Sequence, residues 1–192
     1  MRPLSAWMYR YKICCLLCVI SLLSACSAPK PKIQLPEPDW EVSGKIGVRE
    51  NMLRATSSLF SWKQQEQHYV IHVFTSLGQP QFTLFGNASF AQLQTAEGDV
   101  RSAATAEELL EQITGWSFPV SATRLWLEGK LQGSETALQY DEAGQLTAFQ
   151  LDNWQVNLNH YKPVGNSEYP HKITLHNDHL KLTIIIKDYV HA

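Results

Sequence analysis

The chain predicts a mainly β, α+β fold: an antiparallel sheet curled toward a barrel and interrupted by one helical insertion. Three observations predict it. From Trp40 onward, short runs alternate apolar and polar residues, the period-2 pattern of half-buried strands. Turn-forming residues separate the runs at a spacing of about 8–12 residues, as in all-β domains. Near the middle, one stretch switches to helical spacing behind a capping box.

Residues 1–25 read as an export signal. Arg2, Arg10 and Lys12, with no acidic residue among them, precede the apolar run Ile13–Leu23. A basic segment followed by a short apolar one is the order of a secretory signal peptide. The run falls short of the ~20 residues that an ordinary membrane-spanning helix needs. It ends Leu23-Ser24-Ala25-Cys26, which resembles the bacterial lipobox. There a thiol is required because a thioether carries the diacylglycerol, and small residues let the signal peptidase thread the backbone. Cys26 is therefore the candidate lipid-attachment residue. Cys14, Cys15 and Cys18 leave with the signal, so the mature protein is expected to hold no disulfide. Ser27 follows Cys26, where Asp would favour inner-membrane retention, so sorting to the outer membrane is expected. Ser27–Pro38 reads SAPKPKIQLPEP, and its prolines make a semi-extended tether with little to pack. Residues 26–39 are accordingly the lipidated Cys and tether, and residues 40–192 the folded domain.

Candidate strands in the first half are Trp40–Arg49, Ser57–Lys63, Tyr69–Thr75, Gln81–Phe85, Ala91–Thr95 and Val100–Ser102. The second half offers Thr136–Tyr140, Leu146–Leu151, Gln155–Tyr161, His171–His176 and Leu180–Lys187. Asp141-Glu142-Ala143-Gly144 and Asn177-Asp178 supply hairpin chemistry between them. Between the halves, Thr105-Ala106-Glu107-Glu108 has the T-x-x-E form of a capping box. Leu109, Leu110 and Ile113 then recur at helical spacing, and Gly115 is a helix stop. Beyond Pro119, Ser121–Leu127 reads as a second short helix. Trp116, Phe118, Leu125 and Trp126 make this insertion apolar, so it must bury a face on the sheet or cover the sheet's opening.

Composition excludes several classes. The 192 residues carry 16 Lys+Arg and 18 Asp+Glu, a formal charge of −2, and removing the signal makes it more negative. No basic field for nucleic acid is present. A hydrophobic share of 44% with 18% charged residues describes a foldable globular chain. No G-x-S-x-G, H-E-x-x-H, P-loop or dinucleotide fingerprint occurs, and no mature Cys is free to be a nucleophile. His171, His176 and His179 with Asp178 lack the spacing of a strong metal site and read as solvent-facing polar positions. Neither metal nor cofactor is expected. His72, between Val70 and Phe74 in alternation, reads as a hydrogen-bonded core histidine if it faces inward. Periodicity leaves open whether the many aromatic residues fill a core or surround a cavity. Leu77, at the tip of Ser76-Leu77-Gly78-Gln79-Pro80, is either an ordinary exposed leucine or a contact for a bilayer or partner.

The order of several stretches over Leu23–Tyr189 resembles the LolB family. Leu109–Val120, reading LLEQITGWSFPV, is similar to that family's most distinctive signature, and Leu125-Trp126-Leu127-Glu128-Gly129 to the motif that follows it. Trp40 with Gly44 resembles the opening strand and Phe60-Ser61-Trp62 the second. Trp154-Gln155-Val156 through Tyr161, Tyr169-Pro170 and the last run to Tyr189 resemble the C-terminal half. The turn reads S-L-G where P-L-G is commoner, and Tyr189 stands where a Trp is often found. The resemblance implies an unclosed antiparallel β-barrel with a helical lid over a hydrophobic cavity. It implies a monomeric, non-enzymatic receptor, lipid-anchored in the outer membrane and facing the periplasm. Such a receptor takes triacylated lipoproteins from the soluble carrier LolA and places them in the outer membrane without ATP. It also implies a membrane-insertion role for Leu77. With alternation, it makes Trp62, Phe74, Phe82, Leu84, Trp116, Phe118 and Trp154 candidate acyl-cavity lining. The alternative function is an envelope lipid- or lipoprotein-binding sensor or assembly accessory of similar fold.

Overall fold

The computed structural model describes residues 35, 37–50, 54–115 and 117–191. The signal segment, Cys26, most of the tether and Trp116 lie outside the described residues. The first six strands are β1 (Trp40–Glu50), β2 (Arg54–Gln65), β3 (His68–Thr75), β4 (Pro80–Asn87), β5 (Phe90–Thr95) and β6 (Val100–Ala103). Two helices follow, α1 (Ala106–Thr114) and α2 (Val120–Leu127). The chain finishes with β7 (Thr136–Tyr140), β8 (Leu146–Leu151), β9 (Trp154–Val164), β10 (Ser167–His176) and β11 (Leu180–His191). Each predicted strand and helix is present. Several strands run longer than alternation indicates, because hairpin ends such as Lys162–Val164 pair through backbone while their side chains face water.

All strands join one antiparallel sheet in the order β6-β5-β4-β3-β2-β1-β11-β10-β9-β8-β7. The first strand pairs with the last, which puts β1 and β11 side by side within the sheet and leaves β6 and β7 as two free edges. The barrel is therefore unclosed. Every connection within the two runs of strands is a hairpin between neighbours. The exception is the segment from β6 to β7, which carries both helices from one free edge to the other.

Local chemistry explains the helices. The Thr105 hydroxyl accepts from Glu108 N at 3.1 Å, and Glu108 Oε2 accepts from Ala104 N at 3.2 Å. Gly115 ends α1 at φ +81°, a left-handed conformation that glycine adopts without cost, and its N–H returns to Glu111 O at 2.8 Å. Pro119 precedes α2, where a missing N–H does no harm. The Glu107 carboxylate of α1 accepts from Ser121 N at 2.7 Å and so caps the second helix from the first.

The register lines up the core. Leu93, Leu84, Ile71, Trp62 and Val42 are successive cross-strand partners over β5, β4, β3, β2 and β1, so they share one face of the sheet. All are buried. Leu109 of α1 and Trp126 and Leu127 of α2 cover that face and are themselves fully buried. Full burial of one such apolar side chain contributes roughly 1.5–3 kcal/mol. A bulge between Ser43 and Gly44 shifts the β1–β11 register. It brings the strands so close that a Cβ on Gly44 would lie 2.0 Å from Ile185 O.

A candidate lipid-binding interior and its lid

Helix α2 is fastened to the sheet by polar contacts at its C-terminal end. Glu128, its C-cap, accepts from the Trp40 indole N–H at 3.2 Å and from Arg124 Nη1 at 3.0 Å through Oε1. Its Oε2 accepts from Lys130 Nζ at 2.7 Å. The Tyr189 hydroxyl, from β11, donates to Leu127 O at 3.1 Å. Burial first, then the neighbouring Tyr169 and Glu128, raises the Tyr189 phenol pKa, so the hydroxyl keeps the proton it donates. The Tyr189 ring stacks on Tyr169 at 4.9 Å and leans on Trp40 at 6.1 Å.

The middle of α2 is held by Trp126. Its ring meets Phe149 of β8 edge-on, with centroids 5.1 Å apart and planes at 64°. Its indole N–H donates to Glu135 Oε1 at 3.2 Å. Burial alone would raise the Glu135 pKa. Backbone donors from Gln132 and Gly133, with the Trp126 indole, outweigh it and hold the carboxyl below its ordinary range.

The sequence-predicted lining residues divide by position. Trp62, Leu84, Phe118 and Trp154 are buried in one continuous core with Leu109 and Trp126 of the lid, and half-buried Phe82 packs against it. Phe74 departs from the expectation. It is a cross-strand partner of Leu59 on the opposite face of the sheet, with its ring 6.3 Å from that of His72. A bulge after Val73 separates it from the core-facing register. Trp116 and Cys26 lie outside the described residues. Leu77 is 87% exposed at the β3–β4 turn, where Gly78 takes φ +83° and donates to Thr75 O at 2.9 Å.

The histidines also resolve. His72 is hydrogen-bonded, with Nδ1 3.0 Å from Thr83 Oγ1, but on the face opposite the core. Burial, then Lys63, holds its pKa below the ordinary value against a smaller opposing pull from Glu41. His171 is buried rather than solvent-facing. It alternates along β10 with buried Ile173 and Leu175, the β9–β10 register runs unshifted on either side of it, and its Nδ1 lies 3.1 Å from Tyr169 O. Among the described residues, no three His, Cys, Asp or Glu side chains gather as a metal site.

Sequence reasoning missed the polar atoms of the interior. Tyr69 Oη and Thr123 Oγ1 are buried without a hydrogen-bond partner. Their only sequence signal is a polar atom at a core position, which alternation reads as part of an apolar face. Clefts border the lid on two sides. One of about 590 Å³ lies among Glu107, Glu111, Pro119, Asp152, Trp154 and Leu180. Another of about 410 Å³ lies among Trp126, Leu131, Leu146, Leu158 and Tyr161.

Comparison with known proteins gives this arrangement a family. Residues 38–189 match the family described as outer membrane lipoprotein LolB. A relative named outer-membrane lipoprotein LolB, from Pseudomonas paraeruginosa, is 32% identical over 160 residues, covering 82% of this chain and 78% of its own. One of the same name from Cellvibrio japonicus is 28% identical over 196 residues, covering 91% and 96%. The crystal structure of a LolA superfamily protein from Nitrosomonas europaea overlays with a TM-score of 0.53 at 7% identity, covering 83% of this chain and 89% of that one. That likeness establishes a shared unclosed barrel with a helical lid. With the family match running from the residue before Asp39 to Tyr189, the chain belongs to the LolB family of outer-membrane lipoproteins.

Proposed function

We propose that this protein is an outer-membrane-anchored receptor, facing the periplasm, that accepts triacylated lipoproteins from a LolA-like carrier and inserts them into the outer membrane without ATP. The observation that carries the reading is the lid. The apolar helices cover the inner face of an unclosed sheet, and they belong to the one segment that joins its two free edges. A segment attached at the edges moves without breaking any strand pairing. Moving it uncovers the continuous apolar face to which Trp62, Leu84 and Trp154 belong, and carries Phe118 with the lid. Acyl chains laid on that face gain about 0.8 kcal/mol per CH₂ removed from water. Handover needs no chemical energy if the receptor binds cargo better than the carrier does, since about 1.4 kcal/mol biases transfer tenfold. The activity is binding and transfer by a monomer, without catalysis or a cofactor.

The anchor in this reading is the acylated Cys26, with residues 26–39 as the tether. Leu77 is the membrane-touching side chain. Its insertion supplies at most about 1.5–3 kcal/mol, too little to anchor a protein but enough to orient one already tethered. The function is tested by mixing the lipidated protein, in liposomes, with a preformed carrier–lipoprotein complex and no nucleotide. Cargo is expected to leave the carrier and enter the bilayer. Retention of cargo on the carrier overturns the reading.

A further inference from the structure

Two hydroxyls stand inside the lid–sheet core with nothing to satisfy them. Among the described residues, Tyr69 Oη and Thr123 Oγ1 are the buried side-chain oxygens without a hydrogen-bond partner. Tyr69 is 7% exposed and Thr123 fully buried. They come from the two layers that enclose the interior. Tyr69 lies on β3 on the same face as Ile71 and Val73, and Thr123 lies on the buried side of α2 with Val120 and Leu127.

The surroundings admit the Tyr69 hydroxyl. Gly86 is its cross-strand partner, and a Cβ there would come within 2.9 Å of Tyr69 Oη. Trp62 meets the Tyr69 ring edge-on at 6.5 Å. Burial, aided by the Glu107 carboxylate of α1, pushes the phenol pKa up to about 12, so the oxygen carries its proton and is a donor. A phenylalanine and a valine would occupy nearly the same volumes with no unsatisfied atom. In the free protein each hydroxyl is therefore a liability, since a buried donor without an acceptor destabilises the state that contains it.

The ligand chemistry supplies what is missing. A hydrocarbon chain offers no acceptor. The ester and amide carbonyls at the root of each acyl chain do, and they lose their water when the chains enter an apolar interior. They also sit where buried chain meets exposed headgroup, which in this fold is the seam between sheet and lid. Tyr69, on the sheet, feels the Glu107 carboxylate in the first turn of α1, which puts its hydroxyl toward that seam.

We infer that Tyr69 on the sheet and Thr123 on the lid form a polar subsite within the apolar interior, whose two hydroxyls donate to the ester or amide carbonyls of a bound glyceride-type acyl group. This rests on the acyl-binding reading above and specifies which part of the ligand is read. The subsite distinguishes an acyl ester from a hydrocarbon of the same length, because a site built to hydrogen-bond an atom rejects the analogue that lacks it.

The test uses the full mature chain and two ligands of equal chain length, a dioctanoylglyceryl-cysteine peptide and its dioctyl-ether analogue. The wild type is expected to bind the ester about tenfold more tightly than the ether. Tyr69→Phe lowers that ratio, and Tyr69→Phe with Thr123→Val removes it. Neither change lowers the melting temperature, because each deletes an unsatisfied donor. Equal wild-type binding of ester and ether overturns the inference, and this arm needs no variant to fold. A ratio that persists in the double variant also overturns it. So does a lowered melting temperature in either variant, which would mean that water satisfies the hydroxyls in a purely structural role. Binding of neither ligand by the wild type overturns the acyl-binding reading itself.

Discussion

The indole N–H of Trp40, at the start of β1, donates to Oε1 of Glu128, the residue that ends α2, at 3.2 Å. One hydrogen bond thus ties the first strand of the sheet to the last turn of the lid. Trp40→Phe removes the donor and keeps an aromatic, though smaller, ring at this buried position. Glu128 keeps Arg124 and Lys130 as partners, so no buried charge is stranded. A hydrogen bond to a charged group contributes about 1.5–3 kcal/mol, discounted here for partial exposure. We expect hydrogen exchange across residues 120–130 to quicken severalfold in this variant while the β9–β10 hairpin is unchanged. Equal exchange in variant and wild type would show that the bond does not hold the lid.

Gly44→Ala tests the close approach at the bulge. The new Cβ would lie 2.0 Å from a backbone oxygen, Ile185 O, so two paired strands must separate. Gly47→Ala, three positions along the same strand, meets nothing nearer than 3.9 Å. Urea unfolding is expected to show a loss of about 2 kcal/mol or more for the first and less than about 1 kcal/mol for the second. Similar losses would refute the steric account.

Leu77→Glu changes a side chain that is 87% exposed and touches no core residue, so the melting temperature should hold within a degree or two, as surface changes of about ±0.5 kcal/mol allow. Acceptance of cargo from the carrier should proceed as in the wild type. Delivery from the receptor to liposomes should slow by about tenfold or more, the equivalent of losing the insertion energy of one leucine. Normal delivery by the variant would remove Leu77 from the mechanism.

His72 predicts an acid-side loss of stability. Its folded pKa lies below its ordinary value, chiefly through burial. The unfolded chain therefore takes up the proton first as pH falls. The contribution is fully present above about pH 6.5, the unfolded value, and is lost as pH drops below it toward the folded pKa. Urea midpoints between pH 7.5 and 5.5 should fall in the wild type, and fall less in His72→Gln, which retains a partner for Thr83. Parallel profiles would exclude His72 as the source.

The strands were legible because each places alternate residues on one packed face, and a period of two is a local property of the chain. The ends of α1 were legible for a similar reason: Thr105 and Gly115 act on backbone groups within four residues of themselves. Leu77 was legible as the apolar tip of a polar turn. Phe74 was not, because Val73 and Phe74 are both apolar and alternation does not say which of two apolar faces meets the core. The burial of His171 was legible in principle, since it alternates along β10 with Ile173 and Leu175, but its polar ring was read as solvent-facing.

The amino-acid sequence by itself determined the run of strands, the place of the helical insertion and the family. Each rests on neighbours in the chain or on their linear order. Tertiary structure decided the pairing of β1 with β11, the free edges that the lid spans, the bond from Trp40 to Glu128, and the isolation of the Tyr69 and Thr123 hydroxyls. Those depend on which distant groups come within about 3 Å, and a hydrogen bond made or left unmade at that range is set by packing rather than by sequence spacing.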